Sequence, residues 1–185
     1  MERKRKSAIM IISSHAGILS ESDSLIIFDR DNTLSQDFGP MSGESDCIIL
    51  PNVIDGLLLL NSFYPVLAIA TNQSYVGRGQ LTLKEVEEFH QKLLRALQLY
   101  GISVNLIAIC PHAPWENCLC RKPRPGLLNE LIKVSKIKDR NRIFFVGDKD
   151  SDMEAAINAG VIGLKSDAHN FSSLCDSIRS QLLLD

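Results

Sequence analysis

Five apolar runs without a charged residue punctuate the chain: Leu25–Phe28, Val66–Ala70, Val104–Ile109, Ile143–Val146 and Val161–Leu164. Short, β-branched and aromatic runs of this kind read as strands buried on both faces. Between them the apolar positions change to a helical period. The clearest case is Lys84–Tyr100, with Val86, Phe89, Leu93, Leu97 and Tyr100 on one stripe, Thr82 and Glu85 as a capping box, and Gly101 just past the end. Val53–Phe63, Leu127–Ser135, Ser151–Ala159 and Phe171–Leu184 supply the other helices. This alternation predicts an α/β fold, a three-layer doubly wound parallel sheet with helices on both faces. Two connections are long, Leu34 to Pro51 and Ile109 to Pro125. Neither leaves room for a cap domain, so the fold is expected to be capless with an open pocket.

At 185 residues and 45% hydrophobic, the chain supports one core. The domain is expected to span 25–185, behind a loose, flexible N-terminal extension, 1–24. Lys and Arg number 20 against 22 Asp and Glu, a formal charge of −2, so no broad basic surface points to nucleic acid or an anionic membrane. The basic stretch Met1 to Lys6 precedes apolar Ala8–Ile12, too short for a signal segment or a membrane span. The expectation is a cytoplasmic monomer acting on a small soluble partner.

Chemistry gathers at the strand ends. Asp29 and Asp31 follow Leu25–Phe28 in Asp-x-Asp-x-Thr; one carboxylate there can attack phosphorus while the other protonates the leaving oxygen and later activates water. Taken alone, the pair reads first as a strand-ending turn or N-cap with incidental acids. Asp148 ends another strand, however, and could complete a hard-cation site of the kind Mg²⁺ prefers. Thr71 follows a third, and Lys122 sits in Arg121-Lys122-Pro123. Both fit the stabilisation of a phosphate.

Of five cysteines, Cys110, Cys118 and Cys120 cluster with His112, whereas Cys47 and Cys175 stand alone. Cys110-x-His112-x5-Cys118-x-Cys120 matches a closed Cys₃His Zn²⁺ site, hence a structural one. The loop it closes runs directly into Lys122, so the metal is expected to fix where Lys122 points.

These segments together resemble the haloacid-dehalogenase-like (HAD) phosphatases. Within that family they resemble the zinc-containing subgroup that includes heptose 1,7-bisphosphate 7-phosphatases and histidinol-phosphatase domains. The resemblance covers about Ser24 to Leu184. It implies Asp29 as nucleophile, Asp31 as general acid and base, Thr71 and Lys122 as phosphate stabilisers, and Asp29, the Asp31 carbonyl and Asp148 as Mg²⁺ ligands. Thr71-Asn72-Gln73-Ser74, Arg121-Lys122-Pro123 and Gly147-Asp148-Lys149 lie closer to the heptose pattern. They imply substrate contacts from Asn72, Gln73, Ser74, Arg121 and Lys149, with Asp37 from the first long loop. The five-residue spacer after His112 instead resembles the histidinol-phosphatase zinc loop, and Asn32 stands where the family often has glycine.

Three functions follow in order. The first is Mg²⁺-dependent removal of the 7-phosphate from a heptose bisphosphate, in heptose biosynthesis. The second is hydrolysis of histidinol phosphate, in histidine biosynthesis. The third, remote, is a non-catalytic zinc-stabilised binding module, for which the carboxylate set would have no use.

Overall fold

In the computed structural model, which describes residues 9–12, 22–43, 45–167 and 169–184, the strands are β1 (Ile9–Ile12), β2 (Leu25–Phe28), β3 (Val66–Asn72), β4 (Leu106–Cys110), β5 (Ile143–Gly147) and β6 (Ile162–Lys165). The helices are α1 (Val53–Asn61), α2 (Ser74–Gly77), α3 (Leu83–Gln98), α4 (Gly126–Ser135), α5 (Asp150–Ala159) and α6 (Phe171–Leu184). All strands join one sheet in the order β1-β4-β3-β2-β5-β6, parallel except for β1, which pairs antiparallel with β4.

Central β2 owes its place to its composition. Its four residues are large, apolar and buried, with Ile26 and Phe28 facing one layer and Leu25 and Ile27 the other. The first face shares one core with Leu57 of α1, Val86 and Leu93 of α3, and Phe171 and Ile178 of α6. The second face packs against Leu127 and Leu131 of α4 and Ala155 and Ala156 of α5. Burying each large side chain contributes about 1.5–3 kcal/mol, which makes β2 a firm mount for whatever follows Phe28.

The five parallel strands match those expected from the sequence, with small shifts at their ends. β4 begins at Leu106 because Asn105 closes the ladder with its side chain, accepting from Leu67 N–H at 2.9 Å. α3 stops at Gln98, two residues before Tyr100, as the chain turns through Gly101 at a φ of 74°. Two elements were not expected. β1 lies inside the segment read as a loose extension, most of which falls outside the described residues. The single turn α2 follows β3.

The first long connection is less irregular than its polar composition suggests. Gln36 N–H donates to the Ile48 carbonyl and Leu50 N–H to the Leu34 carbonyl, a short antiparallel ribbon. Asn32 turns the chain at a φ of 57°, which asparagine tolerates. Among the described residues, no helix is long and apolar enough to cross a membrane.

Candidate active site

Parallel pairing brings the carboxyl ends of β2, β3, β4 and β5 to one edge, where open α/β sheets place their ligands. Phe28 lies level with Ile69 and Val146, and Thr71 with Ile109. Asp29 extends β2 by one bond, its N–H donating to the Val146 carbonyl at 2.8 Å.

Lys122 reaches this edge from the loop after β4. Its Nζ lies 2.7 Å from Asp29 Oδ1 and 2.7 Å from Asp152 Oδ1, and donates to the Ala70 carbonyl at 2.9 Å. All three side chains are buried. Burial alone would pull the ammonium down; Asp29 and Asp152 outweigh it and hold the Lys122 pKa above its ordinary value. Burial also pushes Asp29 up, to about 7, against the pull of Lys122 and helped by the charges of Asp152 and Asp31. Asp148 is raised too, again chiefly by burial.

Carboxylate oxygens of Asp29, Asp148 and Asp152 lie within 4.8 Å of one another. Three acids against one lysine leave excess negative charge, and Asp148 Oδ1 is buried without a hydrogen-bond partner. An all-oxygen set of this kind fits a hard divalent cation. Asp152 was not foreseen as part of it. In sequence it reads as an ordinary acid in the first turn of α5, and it does close that helix, accepting from Lys149 N–H at 3.0 Å. Its side chain passes so close to Gly147 that a Cβ there would come within 2.5 Å of Asp152 Cβ. Glycine at 147 is the signal that something large crosses the strand end.

Asp31 stands beside Asp29, accepting from Arg30 Nε at 2.7 Å and from Gln73 Nε2 at 2.8 Å. Gln73 Nε2 also donates to Thr71 Oγ1 at 2.8 Å. Asn72 makes a reciprocal pair with the Lys122 backbone: Nδ2 donates to its carbonyl at 3.2 Å, and Oδ1 accepts from its N–H at 3.1 Å. Asp29, Asp31, Thr71, Gln73, Lys122 and Asp148 are therefore gathered at one edge. Other expected residues are more peripheral. Asp37 is exposed and its Oδ1 caps Gly39 N–H, Lys149 is exposed, and Ser74 opens α2. Arg121 is half-buried, with Nη1 shielded from water and unpartnered.

The Cys/His cluster is closed. Cys110 Sγ lies 3.5 Å from Cys118 Sγ, 3.3 Å from Cys120 Sγ and 3.6 Å from His112 Nδ1, which is 3.2 Å from Cys120 Sγ. Ideal tetrahedral zinc, with Zn–S of about 2.3 Å, puts neighbouring ligand atoms about 3.6–3.8 Å apart, so the set is the right size for such an ion. All three thiols are free and buried. Hydrogen bonding, first from Cys120, draws the Cys110 thiol down to about 5, while Cys120 is driven up by the same contact. Without a cation the cluster cannot carry a negative charge on every sulfur.

The comparisons agree with this geometry. Residues 24–176 match the polynucleotide kinase 3 phosphatase family. The chain is 38% identical over 136 residues to a D-glycero-beta-D-manno-heptose-1,7-bisphosphate 7-phosphatase of Pseudomonas aeruginosa, covering 73% of this chain and 76% of that one. A protein of the same name from Helicobacter pylori is 37% identical over 137 residues, covering 74% and 79%. The histidine biosynthesis bifunctional protein HisB of Campylobacter jejuni subsp. doylei is 35% identical over 164 residues, 86% of this chain but 46% of the larger protein. Among solved structures, the D,D-heptose 1,7-bisphosphate phosphatase of B. bronchiseptica complexed with magnesium and phosphate superposes with a TM-score of 0.74 at 29% identity, covering 87% and 98%. The chain belongs to the polynucleotide kinase 3 phosphatase family of HAD-like phosphatases. It is a phosphatase.

Proposed function

We propose that the chain hydrolyses the 7-phosphate of a D-glycero-D-manno-heptose 1,7-bisphosphate through an aspartyl-phosphate on Asp29. The observation that carries the chemistry is Asp29 itself, buried at a strand end and fixed by Lys122. Heptose phosphatases at 37–38% identity support the choice of sugar, and the partner-free Arg121 Nη1 supports an anionic far end.

In the first half-reaction an Asp29 carboxylate oxygen attacks phosphorus. The bond to the leaving oxygen breaks, and that oxygen takes a proton from Asp31. Thr71 Oγ1 already accepts from Gln73, so its own hydrogen is free to donate to a phosphate oxygen. The three Lys122 contacts go to Asp29, Asp152 and the Ala70 carbonyl; as Asp29 gives up its charge to phosphorus, the ammonium is released toward the incoming oxygens. In the second half-reaction Asp31 takes a proton from water, which attacks the phosphorus and frees Asp29 and inorganic phosphate. Asp29, Asp148 and the Asp31 carbonyl would hold Mg²⁺, with Asp152 beside them. When bound, the ion supplies the positive charge that lets a phosphate dianion approach a carboxylate. Zn²⁺ on Cys110, His112, Cys118 and Cys120 would be structural, with no position left for water.

Histidinol phosphate is the second reading, favoured by the HisB relative and the short spacer after His112. The test is phosphate release from a panel of sugar phosphates, the heptose bisphosphate and histidinol phosphate, with Mg²⁺ and with chelator. Arg121→Ala is expected to cut kcat/KM for the bisphosphate about tenfold or more and to leave histidinol phosphate unaffected or improved. Efficient turnover of histidinol phosphate with poor turnover of the bisphosphate would reverse the order of the two.

A further inference from the structure

Arg30 is buried to 1% exposure, the largest side chain so enclosed among the described residues. A guanidinium cannot shed its proton, so its surroundings must hold the charge. Nε donates to Asp31 Oδ1 at 2.7 Å, Nη1 lies 3.5 Å from His90 Nε2, and Cζ lies 4.8 Å from the centroid of the Phe89 ring. Both aromatic residues come from α3, whose other apolar positions, Val86, Leu93 and Leu97, are locked in the core. None of these three residues has a part in the chemistry described above.

The second oxygen of Asp31 is held from another element. Gln73, 2% exposed, sits between Asp31 Oδ2 and Thr71 Oγ1, with one amide hydrogen for each at 2.8 Å. A carboxylate on a strand end otherwise turns freely about its last torsion, whereas proton transfer requires about 2.6–3.2 Å and alignment. We infer that Arg30 and Gln73 are positioning residues that grip the two oxygens of Asp31 and fix its plane toward the leaving group. Through Phe89 and His90 the orientation is referred to α3; through Thr71 it is referred to the phosphate position. The inference rests on Asp31 being the proton donor, as proposed above.

The leaving group tests it. An alkyl phosphate expels a basic alkoxide and needs the proton; 4-nitrophenyl phosphate expels a stable phenolate and does not. Values of kcat/KM, which report only the steps through leaving-group departure, are compared for both esters in wild type, Asp31→Asn, Arg30→Lys and Gln73→Leu. The alkyl ester is the best one from the panel. Arg30→Lys keeps the charge but loses the fixed Nε donor. It should lower kcat/KM for the alkyl ester about tenfold or more and that for the aryl ester less than about threefold, with metal content and Tm near wild type. If Arg30→Lys does not fold, Gln73→Leu carries the test: it also releases Thr71 and so slows both esters, and the alkyl ester should lose about tenfold more than the aryl one. Equal losses on both esters, or no loss, in the folded variant overturn the inference. If Asp31→Asn discriminates between the esters and the clamp variants do not, the inference alone fails. If Asp31→Asn does not discriminate either, the proton-donor role falls and the inference falls with it.

Discussion

Lys122 Nζ and Asp29 Oδ1 lie 2.7 Å apart with both side chains buried, and the chain between them spans half the protein. The carboxylate proposed as nucleophile is thus held by a residue that follows directly on the loop the proposed zinc would close.

Replacing Asp29 by Asn should lower phosphate release by about three orders of magnitude or more, because an amide cannot form the acyl-phosphate. The fold should survive, since Lys122 keeps Asp152. Activity and thermal unfolding of the same preparation check both halves; turnover near wild type would refute the assignment.

Removing Lys122 has a different signature. Lys122→Met leaves the carboxylates of Asp29, Asp148 and Asp152 within 4.8 Å with no cation among them. Breaking a buried pair from one side costs about 3–5 kcal/mol. The loss measured by urea unfolding in EDTA should shrink when Mg²⁺ is added, since an ion bound only by the folded state stabilises it. An identical loss in both conditions would count against a shared cation site.

Thiol titration reports the zinc loop. Cys110, Cys118 and Cys120 should be shielded by the metal, and burial pushes the Cys175 thiol up to about 12, so at most the half-buried Cys47 should react in the native protein. All five thiols should react after unfolding in chelator. Elemental analysis should find one zinc per chain, and Cys118→Ser should lower both zinc content and Tm. Three fast-reacting thiols in freshly purified native protein would contradict a closed site.

Stability should fall on mild acidification, in part through His90. Burial, reinforced by the charge of Arg30, holds its pKa well below the ordinary 6.5. Below that pH the unfolded chain takes up a proton that the folded chain refuses, so this contribution is complete above 6.5 and is lost as the pH falls toward the folded value. Unfolding free energies measured at several pH values should decline less steeply in His90→Gln, by up to about 1.4 kcal/mol per pH unit. Parallel profiles would refute it.

Much of this was legible in the sequence because strand ends and metal ligands are written locally. Asp29, Thr71, Cys110 and Asp148 each follow an apolar run, and parallel pairing brings such ends together whatever the loops do. The capping box of Thr82 and Glu85 located the start of α3 to within a residue. What escaped depends on tertiary contact. Asp152 resembles any acid in a first turn until the backbone of Gly147 is seen to make room for it. Gln73 reads as a substrate residue by resemblance; that its amide nitrogen donates to Asp31 and Thr71 shows only in the fold. His90 did leave a trace, a polar residue beside the apolar stripe of α3, but its partner Arg30 is 60 positions away. The short β1 falls in the apolar run Ala8–Ile12, which in sequence is weighed only as a signal segment or a span; its pairing with β4 at the sheet edge is what makes it a strand.

The amide of Asn72 gives the backbone at Lys122 the donor and acceptor that a neighbouring strand would have offered. Lys122 is thereby anchored twice, by this mimicry of pairing and by Cys120 two residues before it. The stretch Ala113 to Asn117, between the two pairs of proposed zinc ligands, lies outside both anchors. Insertions or deletions there can change the surface where Arg78 stacks over Trp115 while the lysine stays in register with Asp29, so this stretch can be exchanged like a cassette without disturbing the contact between the two.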